Sequence, residues 1–200
     1  MMEQLAKRVH SLPVSDIELD LLYFFRKHKC RSVQIKRANP NYYELTLEER
    51  KRFLGAPSTY HLCKTIILEN TNWNKEFQDE PLYYKHVAVI IQYEARLNSE
   101  KIMKFMKELQ NKHAKNKHVS KKHFHFRLAD EEVAKEITGY GYNAITPFLM
   151  KQSIPVILSE EITHLTPKYF WMGGGEVELK LGMSVEEFLN LTGAMVTQTS

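Results

Sequence analysis

The chain has 200 residues, 43% hydrophobic and 26% charged, a composition that suits one soluble domain with a full core. Its apolar runs are too short to span a bilayer, and the opening MMEQLAKRVHSLP lacks the apolar centre of a secretory signal, so a cytoplasmic location is expected. A net charge of +4 permits a polyanionic partner without requiring one.

In chain order, Ser15 to about Lys29 reads as a helix. Ser15 and Glu18 have capping-box spacing, and Ile17, Leu21, Leu22, Phe24 and Phe25 form an apolar face. A short strand is expected near Ser32–Ile35, then a turn at Ala38–Asn41. A second capping box, Thr46 with Glu49, opens a short helix that Gly55 ends. His61–Leu68 reads as a strand. With period two, Lys64 shares a face with Leu62, Ile66 and Leu68, so it either snorkels outward or meets a partner in a pocket. Cys30 and Cys63 are the two cysteines and are expected to be reduced; Cys63, inside the strand pattern, reads as a buried inert thiol.

Asn70–Tyr84 is polar and aromatic and reads as a loop, with the character of an insertion. His86–Tyr93 is a strand apolar on both faces, and Asn98 or Ser99 caps a helix presenting Ile102, Phe105, Met106 and Leu109. Lys112–His123 concentrates Lys112, Lys115, Lys117, Lys121 and Lys122 without an acid. It reads either as a solvated loop or as a contact for phosphates. The neighbouring histidines lack a recognised zinc spacing, so no metal is expected.

His123–Leu128 is a strand, followed by a helix with Asp130 at its N-cap, Glu131 and Glu132 in its first turn, and Gly139 past its end. The next loop, Gly141–Pro147, mixes Gly and Asn, which tolerate positive φ, with a proline. Such a loop is either an ordinary turn or a set of backbone amides aimed at an oxyanion. A strand at Ile154–Leu158 follows. Tyr169–Met172 then leads into a glycine turn, and Glu176–Leu181 alternates with Val177, Leu179 and Leu181 inward. Ser184 with Glu187 makes a third capping box, and the last helix stops at Gly193. Strands interleaved with short helices predict an α+β fold on a curved mixed, mainly antiparallel sheet.

Thr138-Gly139-Tyr140, the Asn143–Pro147 loop and the apolar Ile154–Leu158 strand together resemble the YbaK/prolyl-tRNA synthetase editing-domain family. The resemblance runs from about Thr46 to Val196, with further fixed points at Leu54-Gly55, Lys64-Thr65, Arg127–Ala129 and Glu176–Ala194. It implies a single domain over residues 1–200, with a segment of about 1–45 that aligns poorly. It also implies a free-standing, metal-independent and cofactor-free deacylase that removes a small amino acid from mischarged tRNA, most readily tRNA for proline. The partners implied are aminoacyl-tRNA and a synthetase; the alternative is a non-catalytic tRNA- or synthetase-binding module of the same fold. By the resemblance, Lys64 is the pocket lysine near the terminal adenosine and the ester. Asn143, Ala144, Ile145, Thr146 and Pro147 form the loop whose amides hold the substrate carbonyl. The family's pocket tyrosine is either Tyr23 or absent, and Gly174 lies in the segment ahead of the last hairpin. On the charge pattern, and not by the resemblance, Lys117, Lys121 and Lys122 are the candidate phosphate contacts, the alternative being a solvated loop. The sequence departs from the family at Asn143, where the loop's first glycine is expected, and at Met172-Gly173-Gly174, where a hydroxyl is lost. Trp73–Tyr84 is extra.

Overall fold

The computed structural model describes residues 14–115 and 118–200. Its elements follow in order: α1 (Asp16–Lys27), β1 (Gln34–Arg37), α2 (Leu47–Leu54), β2 (Cys63–Asn70), β3 (His86–Gln92), α3 (Ser99–His113), β4 (Phe126–Leu128), α4 (Glu131–Thr138), β5 (Val156–Ser159), α5 (Glu160–Thr163), β6 (Tyr169–Gly173), β7 (Leu179–Ser184), α6 (Val185–Thr192) and β8 (Met195–Thr197). The strands form two sheets, one antiparallel in the order β1-β7-β6 and one mixed in the order β4-β2-β3-β5-β8. In the second, β4–β2–β3 pair antiparallel while β5 runs parallel to both β3 and β8. The fold is therefore α+β with mainly antiparallel pairing, divided between two sheets that meet where Leu62 bridges Trp171.

The helices start and stop for local reasons. Thr46 and Glu49 form the complete reciprocal capping box of α2, and Gly55 ends it at φ 70°. At α1 and α6 only half of each expected box forms. The Ser15 and Ser184 hydroxyls accept the N3 amides, but Glu18 is drawn to Arg37 (2.6 Å) and Glu187 accepts the amides of Arg31 and Ser32. Those two carboxylates are engaged with distant chain segments, a choice that local spacing does not encode.

The mixed sheet is buried on both sides. Ile67, Ile90 and Leu158 face a cluster completed by Leu21 and Phe25 of α1 and by Phe170, Leu181 and Phe188. Leu68, Val87, Val89 and Ile157 face the opposite cluster, under Ile102 and Met106 of α3. Alternating side chains on one strand thus serve two cores. Residues 70–84 are part of the second core: Trp73 stacks on Tyr83, and the Tyr83 hydroxyl accepts the Asn74 amide and donates to the His123 carbonyl. The last helix ends at Gly193 as expected, and β8 follows beside β5. One expectation needs correction. Lys180, which strand alternation places outward, is 3% exposed, because the turn at Pro40–Glu44 with α2 covers that face of the antiparallel sheet in a third cluster around Tyr42, Leu54 and Trp171.

Candidate active site

β2 has two neighbours on its outer edge. Its start lies beside β6, through the Leu62–Trp171 bridge, and its end pairs with β4 from Leu68 onward. Between them, over Lys64–Ile67, the edge opens onto a cavity of about 410 Å³. The remaining walls are Leu128 and Ala129 at the end of β4, Glu131 and Ala134 of α4, the loop residues Tyr140–Asn143 and Ile145, Gly173 of β6, and the rings of Tyr43 and Tyr93. The cavity is apolar in its depth and polar at a few points, the usual composition of a small-molecule site.

The loop after α4 is closed by its own residues. Gly139 ends the helix at φ 82°, and the Thr138 hydroxyl accepts the Tyr140 amide while donating to the Ala134 carbonyl. The Tyr140 hydroxyl then reaches across the loop to the carbonyls of Phe148 (2.7 Å) and Leu149 (3.2 Å). This is the structural work of the Thr138-Gly139-Tyr140 signature. Asn143 sits at φ 61°, the left-handed conformation that Asn and Gly accept most readily.

The loop's carbonyls are held. Gly141 O accepts the Ala144 amide (3.1 Å), Asn143 O accepts the Tyr43 hydroxyl (2.6 Å), and Ala144 O accepts the Gly175 amide (2.9 Å). The Ile145 carbonyl packs so tightly on Gly173 that a Cβ there would lie 2.6 Å from it. Among the described residues, the amides of Asn143 and Ile145 donate to no protein acceptor, although both residues line the cavity. Pinned carbonyls with free amides are the polarity that a developing oxyanion needs.

The sequence-predicted residues separate by position. Lys64 lines the cavity, its Nζ 5.6 Å from the centre of the Tyr93 ring. Asn143 and Ile145 also line it, whereas Ala144, Thr146 and Pro147 are buried behind them and hold the loop from within. Thr146 is fully buried. Tyr23 is 71% exposed on α1, away from the cavity; the tyrosines on the wall are Tyr43, Tyr93, Tyr140 and Tyr142. Gly174 is likewise outside the wall, its amide bonded to Leu179 O, and Gly173 takes the lining place. Lys121 and Lys122 are exposed, and Lys117 lies outside the described residues. From Lys121 and Lys122 the exposed His125 and Arg127 continue along the edge strand β4 to Leu128 at the cavity mouth.

Sequence reasoning missed Tyr43, Thr65, Tyr93, Glu131 and Gly173 as wall residues. Thr65 is 8% exposed, lines the cavity, and its hydroxyl has no partner among the described residues. Its place directly after Lys64 is a local signal that could have been used. Cys63 faces the core, and burial raises its thiol pKa far above the usual range, which keeps it inert. Among the described residues there is no group of three or more metal-ligating side chains.

Comparison with known proteins supplies the relationship. Residues 107–191 match the family described as the aminoacyl-tRNA editing domain. No curated protein sequence matches the chain. Among solved structures, a protein described as a candidate trans-editing enzyme for prolyl tRNA synthetase superposes with a TM-score of 0.69 at 16% identity, covering 94% of this chain and 99% of its own. A hypothetical protein superposes at 0.64 with 22% identity, covering 90% and 97%. A scaffold used for computational epitope grafting superposes at 0.68 with 14% identity, covering 93% and 97%. At these identities the likeness is one of fold.

Proposed function

We propose, from the match of residues 107–191 to the aminoacyl-tRNA editing domain, that this chain is a free-standing deacylase that hydrolyses the ester of mischarged aminoacyl-tRNA. The observation that carries the reading is the loop polarity: anchored carbonyls and unpartnered Asn143 and Ile145 amides on the wall of a cavity that also holds Lys64. In the reaction, water adds to the ester carbon, the carbonyl oxygen gains negative charge, and the carbon–oxygen bond to the ribose breaks. The ribose oxygen leaves with the proton that the water gives up. The amides of Asn143 and Ile145 receive the oxyanion, and the Lys64 ammonium holds the tRNA end beside the ester. The nucleophile in this reading is water: the wall residues include no Cys, Ser or His, and the one aliphatic hydroxyl among them, on Thr65, has no histidine on the wall to take its proton. The ester of an aminoacyl-tRNA is already activated, and positioning with charge stabilisation suffices.

Ile66, Ile67, Ala129, Ala134 and Ile145 supply an apolar lining that suits a small amino-acid side chain. Alanine on tRNA for proline is our first candidate. The exposed track Lys121, Lys122, His125 and Arg127 leads the acceptor end to the mouth through its phosphates. The chain acts as one editing module in the cytoplasm, on tRNA charged by a synthetase. It needs no metal.

The test is incubation of purified protein with alanyl- and cysteinyl-tRNA for proline, following the surviving ester, beside Lys64→Ala. Accelerated loss of ester by wild type, abolished in a folded Lys64→Ala, is expected. Wild type that binds these tRNAs without hydrolysing them would instead establish a binding module.

A further inference from the structure

Behind the Tyr43 side of the cavity lies Lys180 of β7, 3% exposed and, among the described residues, without a carboxylate partner in hydrogen-bond reach. Its Nζ donates to the Tyr43 hydroxyl (2.9 Å) and to Val177 O (2.8 Å), and lies 4.3 Å from the ring centres of both Tyr42 and Tyr43. Tyr43 in turn donates to Asn143 O (2.6 Å). We propose that Lys180 is a positioning residue for the Asn143–Pro147 loop, acting through Tyr43 so that the direction of this hydrogen-bond chain fixes the Asn143 carbonyl and hence the neighbouring amides.

The chain has a sense. A charged ammonium can only donate, so Tyr43 must accept from Lys180, and its single proton is left for Asn143 O. A neutral amine carries a lone pair that competes for that proton, and a Tyr43 hydroxyl turned to the amine releases the Asn143 carbonyl. The charge of Lys180 therefore decides whether the loop is held.

Its surroundings make that charge labile. Burial, and next the Arg50 guanidinium, depress the Lys180 pKa to about 7, with Glu178 opposing. The other groups around it are Tyr42 and Tyr43 from the Pro40–Glu44 turn, Tyr93 after β3, Arg50 over the same rings, and Lys36, its register partner on β1, whose own ammonium is turned to Leu54 O. The three tyrosine hydroxyls are pushed above their usual range, chiefly by burial, so among these groups Lys180 is the one that changes charge near neutrality.

The kinetic part of this inference rests on the deacylase reading; the structural part does not, and the experiment separates them. Amide chemical shifts and hydrogen exchange of Asn143, Ala144, Ile145 and Gly175 are measured against pH for wild type, Tyr43→Phe, Lys180→Met and the double variant, with kcat and KM on alanyl-tRNA for proline in parallel. In wild type these amides titrate together with a midpoint near neutrality. Both single variants abolish the titration, raise exchange at these amides by the same factor, and lower kcat about tenfold with KM kept; the double variant goes no further. Titrating amides in a wild type that does not turn over would uphold the loop coupling and defeat the deacylase reading. If Tyr43→Phe, which keeps the ring, leaves exchange, titration and kcat at wild-type values, Lys180 is structural only. Effects that multiply in the double variant also overturn the proposal. Tyr43→Phe decides the question by itself should Lys180→Met fail to fold.

Discussion

Gly173 offers the most direct test of whether the loop geometry matters for the chemistry. Its φ is not left-handed, so alanine brings no backbone strain, and the whole effect of Gly173→Ala comes from space. The new Cβ would stand 2.6 Å from Ile145 O and 3.3 Å from Ala144 O. To reach 3.0 Å, about the shortest separation a real Cβ tolerates, the Ile145 carbonyl has to retreat by about 0.4 Å. The obstacle is backbone, not the end of a flexible side chain, so the loop itself must move. Overpacking of this kind costs roughly 1–3 kcal/mol of stability. A misplacement of about 1 Å at a reacting centre costs on the order of a hundredfold in rate, so a shift of this size scales to a loss of roughly five- to tenfold in kcat.

The assay is single-turnover deacylation of alanyl-tRNA for proline together with thermal unfolding, run beside two neighbouring glycines. At Gly141 a Cβ meets nothing within 4 Å, and Gly141→Ala should match wild type in thermal unfolding, while any change in its kcat reports on the cavity that Gly141 lines. At Gly174 a Cβ meets the Leu179 backbone at 3.1 Å, away from the loop, so Gly174→Ala should lower the melting temperature while the folded protein keeps its kcat. Gly173→Ala alone should lose both. A Gly173→Ala protein with wild-type kcat would refute the argument that the loop's carbonyl side sets the position of its amides. A larger kcat loss in Gly174→Ala than in Gly173→Ala would mean that Gly174 meets the substrate.

Three further outcomes are expected. Asn143→Gly should keep its activity, since both residues accept a φ of 61°, whereas Asn143→Val should lose on the order of a hundredfold or more in kcat through loss of an oxyanion donor; an inactive but folded Asn143→Gly would show that the amide side chain itself contacts substrate. Replacing Lys121 and Lys122 together should weaken tRNA binding and reduce the slope of log affinity against log salt by up to about one unit for each phosphate no longer neutralised; an unchanged slope would make them solvated side chains only. Between about pH 7 and the ordinary lysine value of 10.5, the folded protein has released a proton from Lys180 that the unfolded chain still binds, so this lysine adds stability as pH rises through that window and its contribution is lost as pH falls back to 7. Urea unfolding at both ends of the window should show that rise in wild type and a smaller one in Lys180→Met, and identical pH dependence in the two would contradict the assignment.

What the sequence makes legible is what local geometry constrains. Gly139, Asn143 and Gly193 sit where left-handed backbone is required, and their identities announced it. The complete capping box at Thr46 and the doubly buried β3 were readable for the same reason. The strand pattern alone gives Lys64 a choice of two fates, and only the resemblance puts it in a pocket, because the cavity exists only where β2 exchanges one neighbour for another. The pocket tyrosine was sought at Tyr23, whereas the chain brings Tyr43 to the site by folding the Pro40–Glu44 turn over the antiparallel sheet. The same turn buries Lys180, a side chain that the alternation of Leu179 and Leu181 directs outward.

The site is held together from outside its own loop. The free Asn143 and Ile145 amides are local features of that loop, yet every outside contact that aims them comes from distant segments: Tyr43 from the Pro40–Glu44 turn, and Gly173 and Gly175 from the end of β6 and the turn that follows. Gly175, at φ 94°, can bring its amide to Ala144 O only because it has no side chain, which would strike Ile17 and Tyr140. The cavity floor belongs to β2 of the mixed sheet, while its loop anchors belong to the antiparallel sheet and the turn packed on it. The two sheets share the core cluster of Ile67, Ile90, Leu158, Phe170 and Leu181, so the distance between Lys64 and the loop amides is set by that common packing. Substitutions in this shared core should therefore lower turnover and stability together, whereas substitutions in the α3-side core should lower stability first.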